Sequence, residues 1–295
     1  MIESLFNPEE IRAESSKRFE AFLAGCIFTF AAVLFAIGII PPKHGAAGLG
    51  FLIISFICIP AAPFFVQLFK VEEKEELRKQ GDRIFTKNLF THHLDVIEIF
   101  AFFFLAVLFA TSFVYVVAPG ETSSDMFRSQ VDDLEARGIV TGEAAGPVTQ
   151  VPSFTEILVN NTVVLGLAFL FSFIFGAGAV FLVSWNASII GVLVGRIAEN
   201  PELLGLGDTG NLFTNYLVAL PTTILRLLPH GIFEFGAYFA GAVAGGVLSA
   251  GVIQESIKCR RTKFRHLKQV IIDSSIYFGI AILLLIIGAL VEVGV

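Results

Sequence analysis

The chain has 295 residues, 55% of them hydrophobic and 16% charged, with a mean hydropathy of +0.78 and a formal net charge of -6. So apolar a composition excludes an ordinary soluble domain and points to an all-α, polytopic helical membrane protein. The net negative charge, with most of the basic residues grouped in two short blocks instead of a continuous positive surface, gives no reason to expect nucleic acid. Cys26, Cys58 and Cys259 have neither close spacing nor matching histidines, so no disulfide framework and no zinc site is expected.

In chain order, Asn7, Pro8 and Glu10 supply an N-cap, a first-turn proline and a capping-box acid for a short polar helix. The first apolar span is 19–40; it has no small-residue cleavage pattern and reads as a retained helix, not a signal peptide. A second span, 47–69, is interrupted by Pro60 and Pro63, where a kink is predicted. The charged segment 70–94 belongs in water or on the membrane surface, with Glu75 and Lys79 at helical spacing and a break at Gly81. The third span, 96–118, has Glu98 near its start and closes at Pro119 and Gly120.

From 121 to 152 the composition turns polar and acidic, although Phe127, Val131 and Leu134 recur at helical spacing and predict a short amphipathic helix. Ser153 and Glu156 form a second capping box, opening a helix over 154–184 that would be about 46 Å long at 1.5 Å per residue. Trp185 and Asn186 mark its far boundary, and the run 189–197 with Gly191 reads as a re-entrant or interfacial half-helix. A break at 200–210 precedes a fifth span, 212–228, a sixth that starts at Pro229, and a seventh over 270–291. About seven transmembrane helices plus the half-helix divide the chain into an N-terminal membrane region (1–118), an acidic extracytoplasmic loop (119–152) and a membrane core (153–295). The basic residues of 70–87 and of the block Lys258, Arg260, Arg261, Lys263, Arg265 and Lys268 fall on the N-terminal side. The positive-inside rule then makes the N-terminus cytoplasmic and the C-terminus extracytoplasmic.

Candidate chemistry concentrates at the head of the sixth span, in Arg226, Pro229, His230, Gly231 and Glu234, with Asn160 and Glu156 at the same level on the fourth. Intramembrane ionisable groups tend to face the bundle interior, so the cluster reads either as a polar site between helices or as an ion pair that fixes how two helices join. Ala237, Gly241, Gly245 and Ser249 recur every four residues and form a close-packing ridge; Ala168, Ser172 and Gly176 repeat the spacing on the fourth span and make it the natural partner. A homodimer interface is the alternative use of the ridge. His230 with Glu234 lacks the ligand set of a catalytic zinc, and His92, His93, Asp95 and Glu98 read as the solvated start of the third helix, with a cation site at the membrane surface as the alternative. The basic block around Arg260 suits anionic lipid. No nucleophile is paired with a base, so neither catalytic residues, a metal nor a cofactor is expected.

Asn160, Gly176, Asn186 with Gly191, and above all Leu228, Pro229, His230, Gly231 and Glu234 followed by the small-residue helix resemble the stage II sporulation protein M family over roughly 154–291. The resemblance implies a multi-pass component of a membrane complex with peptidoglycan-degrading partners, and not the hydrolase itself. Its partners would be the bilayer and other membrane or envelope proteins. A scaffold in an envelope or membrane-remodelling complex is the expected function, with a transporter or channel built around Glu234 as the alternative.

Overall fold

The computed structural model describes residues 16–41, 48–79, 89–118, 120–136, 153–175, 179–257 and 263–294. Among the described residues there are nine α-helices and no strand: α1 (Ser16–Ile39), α2 (Leu49–Lys79), α3 (Leu89–Val117), α4 (Glu121–Met126), α5 (Arg128–Ala136), α6 (Phe154–Phe175), α7 (Ala179–Glu199), α8 (Leu212–Ile257) and α9 (Lys263–Gly294). Stretches of α1, α3, α6, α7, α8 and α9 are long and apolar enough to cross a membrane, and α2 adds the shorter apolar stretch Leu49–Phe65. The protein is a multi-pass helical membrane protein, as its composition predicts. The expectations at Asn7, Pro8, Glu10, Gly81, Gly176 and the basic residues 258–261 lie outside the described residues.

The seven apolar helices are not the seven predicted. The fourth span ends at Phe175, and a separate helix, α7, begins at Ala179. At 21 residues, α7 is about 31 Å long and matches a hydrocarbon core of about 30 Å, so 189–197 belongs to a full span and not to a half-helix. Trp185 accordingly lies inside α7, stacked on Phe51 of α2 with centroids 4.5 Å apart, instead of marking an interface. The predicted fifth and sixth spans are one continuous 46-residue helix, α8, with Pro221 and Pro229 inside it. An interior proline costs about 3 kcal/mol. Ending a helix in hydrocarbon would strand four N–H and four C=O groups, which costs more, and the chain keeps the helix.

Neighbouring contacts give the helix directions. Arg18 pairs with Glu98 at 2.5 Å while Phe30 meets Phe113, so α1 and α3 run parallel. Asn161 meets Tyr238 and Leu165 meets Gly241, so α6 and α8 run parallel. Gly251 meets Val270, Ser274 donates to the Ala244 carbonyl at 2.9 Å, and Gly288 meets Phe233, so α8 and α9 form an antiparallel pair. Between lipid tails, helices gain little from hydrophobic exclusion and associate through close packing. The largest packed centre joins Phe65 of α2, Phe100 and Phe103 of α3 and Phe239 of α8; the Phe65 and Phe100 rings are 4.0 Å apart.

The segment read as an outer loop is only partly a loop. Phe127, Val131 and Leu134 are buried, the last two on α5 as their spacing predicts, but α4 and α5 fold back into the bundle as a helical hairpin. Gln130, fully buried, donates to Ser188 Oγ at 3.2 Å and lies against Gly50. Ser188 precedes the end of α7 by 11 residues, about 16 Å. Gln130 of the α4–α5 hairpin therefore reaches about half-way along α7. The break at 200–210 lies on the same side as this hairpin, because α7 ends beside the end of α3.

Candidate functional site

Glu234 sits on α8 where α6 and α9 both approach. Asn161 Nδ2 donates to Glu234 Oε1, and Asn161 Oδ1 accepts from Tyr238 Oη at 2.8 Å and from Asn160 Nδ2 at 3.2 Å. In this arrangement the Asn161 oxygen takes both donors and its nitrogen faces the acid, as suits an ionised carboxylate. On the other flank a methyl added at Gly288 of α9 would stand 3.1 Å from Glu234 Cγ and 3.3 Å from Phe233 Cβ. Three helices thus close on one carboxyl.

Local sequence explains where α6 starts and how α8 lies on it. Ser153 and Glu156 make the predicted capping box: Ser153 N–H and Oγ–H reach Glu156 Oε2 at 2.8 Å, and Glu156 N–H reaches Ser153 Oγ at 3.3 Å. It starts α6 one to two turns before Asn161. Below the node the ridge of α8 lies on α6. Gly241 faces Leu165, and a methyl at Gly245 would collide with the Phe169 carbonyl and stand 2.9 Å from Ser172 Cβ. Ala237 and Ser249 are buried on the same helix, as are Ala168 and Ser172 on α6.

The structure divides the rest of the predicted cluster. Arg226 turns away and donates from Nη2 to the Leu204 carbonyl at 3.0 Å, at the end of the 3-10 turn Pro201–Leu204. Pro229 is exposed, and the His230 carbonyl lies beside Gly288. Gly231 lines an apolar cavity on a different face of α8. Asn160 is exposed and reaches the acid only through Asn161. Of the half-helix residues, Asn186 bonds within α7 to the Leu182 carbonyl at 2.8 Å, and Gly191 lets α7 touch α3, a methyl there standing 2.8 Å from the Leu108 carbonyl. Glu98 is paired with Arg18.

Asn161, Tyr238 and Gly288 are the participants that sequence reasoning missed. Asn161 was legible: it is seven residues before Ala168 and lies on the ridge-facing side of α6, where Asn160 does not, and Tyr238 is one turn after Glu234. Gly288 carries no comparable signal. No group of three or more potential metal-ligating side chains occurs among the described residues. What the node can do chemically is accept hydrogen bonds, hold a negative charge or exchange a proton.

Outside the spans, a second polar knot starts α8. Asp208 Oδ1 accepts from Gly210 N–H and Asn215 Nδ2, both at 2.9 Å, and Asn215 Oδ1 accepts from Thr209 N–H and Oγ1 at 3.0 and 2.7 Å. The bond from Asn215, with that from Gly210, holds the Asp208 carboxyl below the usual aspartate range. Asn211 caps the helix through Thr214 N–H at 3.0 Å.

Comparison with curated proteins and with solved structures finds no match. The family model for stage II sporulation protein M matches residues 99–295, about two thirds of the chain. The match starts near the head of the third span and so takes in most of α3 and the α4–α5 hairpin as well as 154–291. It also contains every residue of the Glu234 node, and on that extent the chain belongs to the stage II sporulation protein M family.

Proposed function

We propose that the protein is a non-enzymatic membrane scaffold that recruits partners in a cell-envelope or membrane-remodelling complex. The observation that carries this reading is the Glu234 node. Its carboxyl accepts from the Asn161 amide and lies beside a close-packed ridge, an arrangement suited to fixing α6, α8 and α9 as one platform. In this reading the N-terminus is cytoplasmic and the C-terminus extracytoplasmic. The hairpin α4–α5 and the 200–211 connection then face outside together, where envelope proteins would dock. Recovery of crosslinked partners from native membranes tests it: the unmodified protein should retain specific partners that Glu234→Ala loses at matched expression and thermal stability. Recovery that is the same for both proteins, or absent from both, would overturn it.

A transporter or channel is the second reading, favoured by a carboxyl placed inside an apolar span. It requires that the unmodified protein in proteoliposomes carry a flux that Glu234→Gln abolishes. No flux across several ions and small solutes would remove it.

A further inference from the structure

We infer that Arg226 binds the phosphate group of a membrane phospholipid. The apolar part of α8, Leu212–Ser249, has 38 residues and is about 57 Å long, nearly twice a hydrocarbon core of about 30 Å. Its second half runs in step with α3, Phe239 meeting Phe100 and Phe235 meeting Phe104. Its first half does not. Tyr216 meets Ser112 at 3.2 Å, so the eight residues from Phe104 to Ser112, about 12 Å, are matched by the 19 from Tyr216 to Phe235, about 28 Å. The first half of α8 therefore slants steeply across α3, and Pro221 and Pro229 free it to bend.

Two contacts put this arm at the membrane boundary. Ser112, the partner of Tyr216, is five residues, about 8 Å, before the end of α3 at Val117. Leu204, whose carbonyl accepts from Arg226 Nη2 at 3.0 Å, lies five residues beyond the end of α7 at Glu199. Arg226 is thus at the depth of the lipid headgroups although it stands 14 residues into an apolar helix. The arm has the three faces of an interfacial helix packed on a bundle. Tyr216, Ala219 and Thr223 are buried; Leu217, Leu225, Leu228 and Ile232, at i, i+8, i+11 and i+15, are exposed; Thr222, Arg226 and His230 recur every four residues on a third, polar face. That polar face is turned away from the apolar cavity that Gly231 lines.

Arg226 carries a charge that its neighbours do not neutralise. Among the described residues its guanidinium donates to the Leu204 carbonyl alone, through Nη2, which leaves its other N–H groups for an external acceptor. No described carboxylate forms an ion pair with it, not even Glu202, which is exposed in the adjoining turn. The anion present in quantity at this depth is the lipid phosphate, and the planar fork of a guanidinium fits two phosphate oxygens at once. The bond to Leu204 already orients the fork, so less side-chain freedom is lost on binding. A free phosphate offers the same oxygens, but a lipid holds them at the boundary where Arg226 lies. This inference does not depend on the scaffold reading.

The test uses the full chain in phosphatidylcholine nanodiscs that contain a little phosphatidylglycerol with a diazirine beside its phosphate, labelled residues being mapped by mass spectrometry. Leu203, Thr222 and His230 should label about five-fold above Val159 and Val293, which are exposed at the head of α6 and the tail of α9, where the sequence has no Lys or Arg. Five-fold corresponds to about 1 kcal/mol, the pull of one basic residue toward anionic lipid. Arg226→Gln should bring the excess down to the Val159 level, whereas Arg226→Lys, which keeps the charge, should retain most of it. If Arg226→Gln fails to fold, Thr222→Lys decides: a second cation one turn away on the same face should raise the labelling of Leu203 and His230 about two-fold. The assignment is overturned by no excess in the unmodified protein, by an excess that survives Arg226→Gln, or by no rise in Thr222→Lys. An excess lost equally in Arg226→Lys would reduce Arg226 to its bond with Leu204. One removed by inorganic phosphate, but not by chloride of equal ionic strength, would make the site one for a free anion.

Discussion

One helix, α8, lives in two environments. Its second half, from about Glu234, is clamped between α6 and α9, with Gly245 against the Phe169 carbonyl and Glu234 against Asn161. Its first half carries exposed Phe213, Leu217 and Leu225 and touches the bundle mainly through Tyr216, Ala219 and the Arg226 bond to Leu204. Both halves are apolar, so hydropathy does not separate them. What separates them is side-chain size at helical spacing: small residues let backbones meet, and large ones hold the arm away from its neighbours.

The clamped half should break most easily. Gly245→Leu places a side chain against a backbone carbonyl that cannot retreat, and it should cost about 3 kcal/mol or more, the upper end of the overpacking range. Thermal unfolding in lipid nanodiscs would show it, and Leu217→Ala on the exposed arm, expected within about 0.5 kcal/mol, sharpens the contrast. Next in size is the node. Glu234→Ala leaves the Asn161 amide donor without its acceptor at a cost of about 1–3 kcal/mol. A double-mutant cycle with Asn161→Ala should return a coupling of about 0.6–1.7 kcal/mol, the range for hydrogen bonds between membrane helices. Zero coupling would mean that the two side chains do not act together.

Smaller effects belong to the arm. Tyr216→Phe removes the bond to Ser112 and should cost about 0.5–1 kcal/mol by the same unfolding measurement. The smallest is at Asp208. Its folded-state pKa is depressed, so its contribution is fully present above the ordinary aspartate value of about 3.9 and is lost as pH falls through the folded value. Asp208→Asn should therefore flatten the acid limb of unfolding temperature against pH, and an unchanged limb would remove Asp208 from the account.

Much of this was legible in the sequence. The capping box at Ser153 and Glu156, the small-residue ridge and the helix carrying Val131 and Leu134 follow from local spacing, because they depend on neighbours one turn away. Helix boundaries were less legible. The run 154–184 is largely apolar in its interior, so hydropathy shows no boundary in it, although Gly176 and Gly178 fall between the end of α6 and the start of α7. Pro229 reads alike at a helix start and inside a helix, and only the cost of exposed backbone in hydrocarbon favours the second. The inward fold of α4–α5 was hidden for another reason. Arg128 and Asp132, paired at 2.8 Å on the exposed side, give the segment a polar composition, while Gln130 and Ser188 meet across 58 residues of sequence.

The most direct test of the account is partner recovery by crosslinking from native membranes with Glu234→Gln set beside Glu234→Ala. A glutamine keeps an oxygen to accept from Asn161, gives up the charge and the proton, and puts an NH2 donor in place of the second carboxyl oxygen. A lock within a scaffold predicts that Glu234→Gln retains the partners that Glu234→Ala loses. If glutamine is as damaging as alanine while the protein remains folded, the site needs its charge, its proton or its second oxygen, and a lock made by the Asn161 bond alone is contradicted.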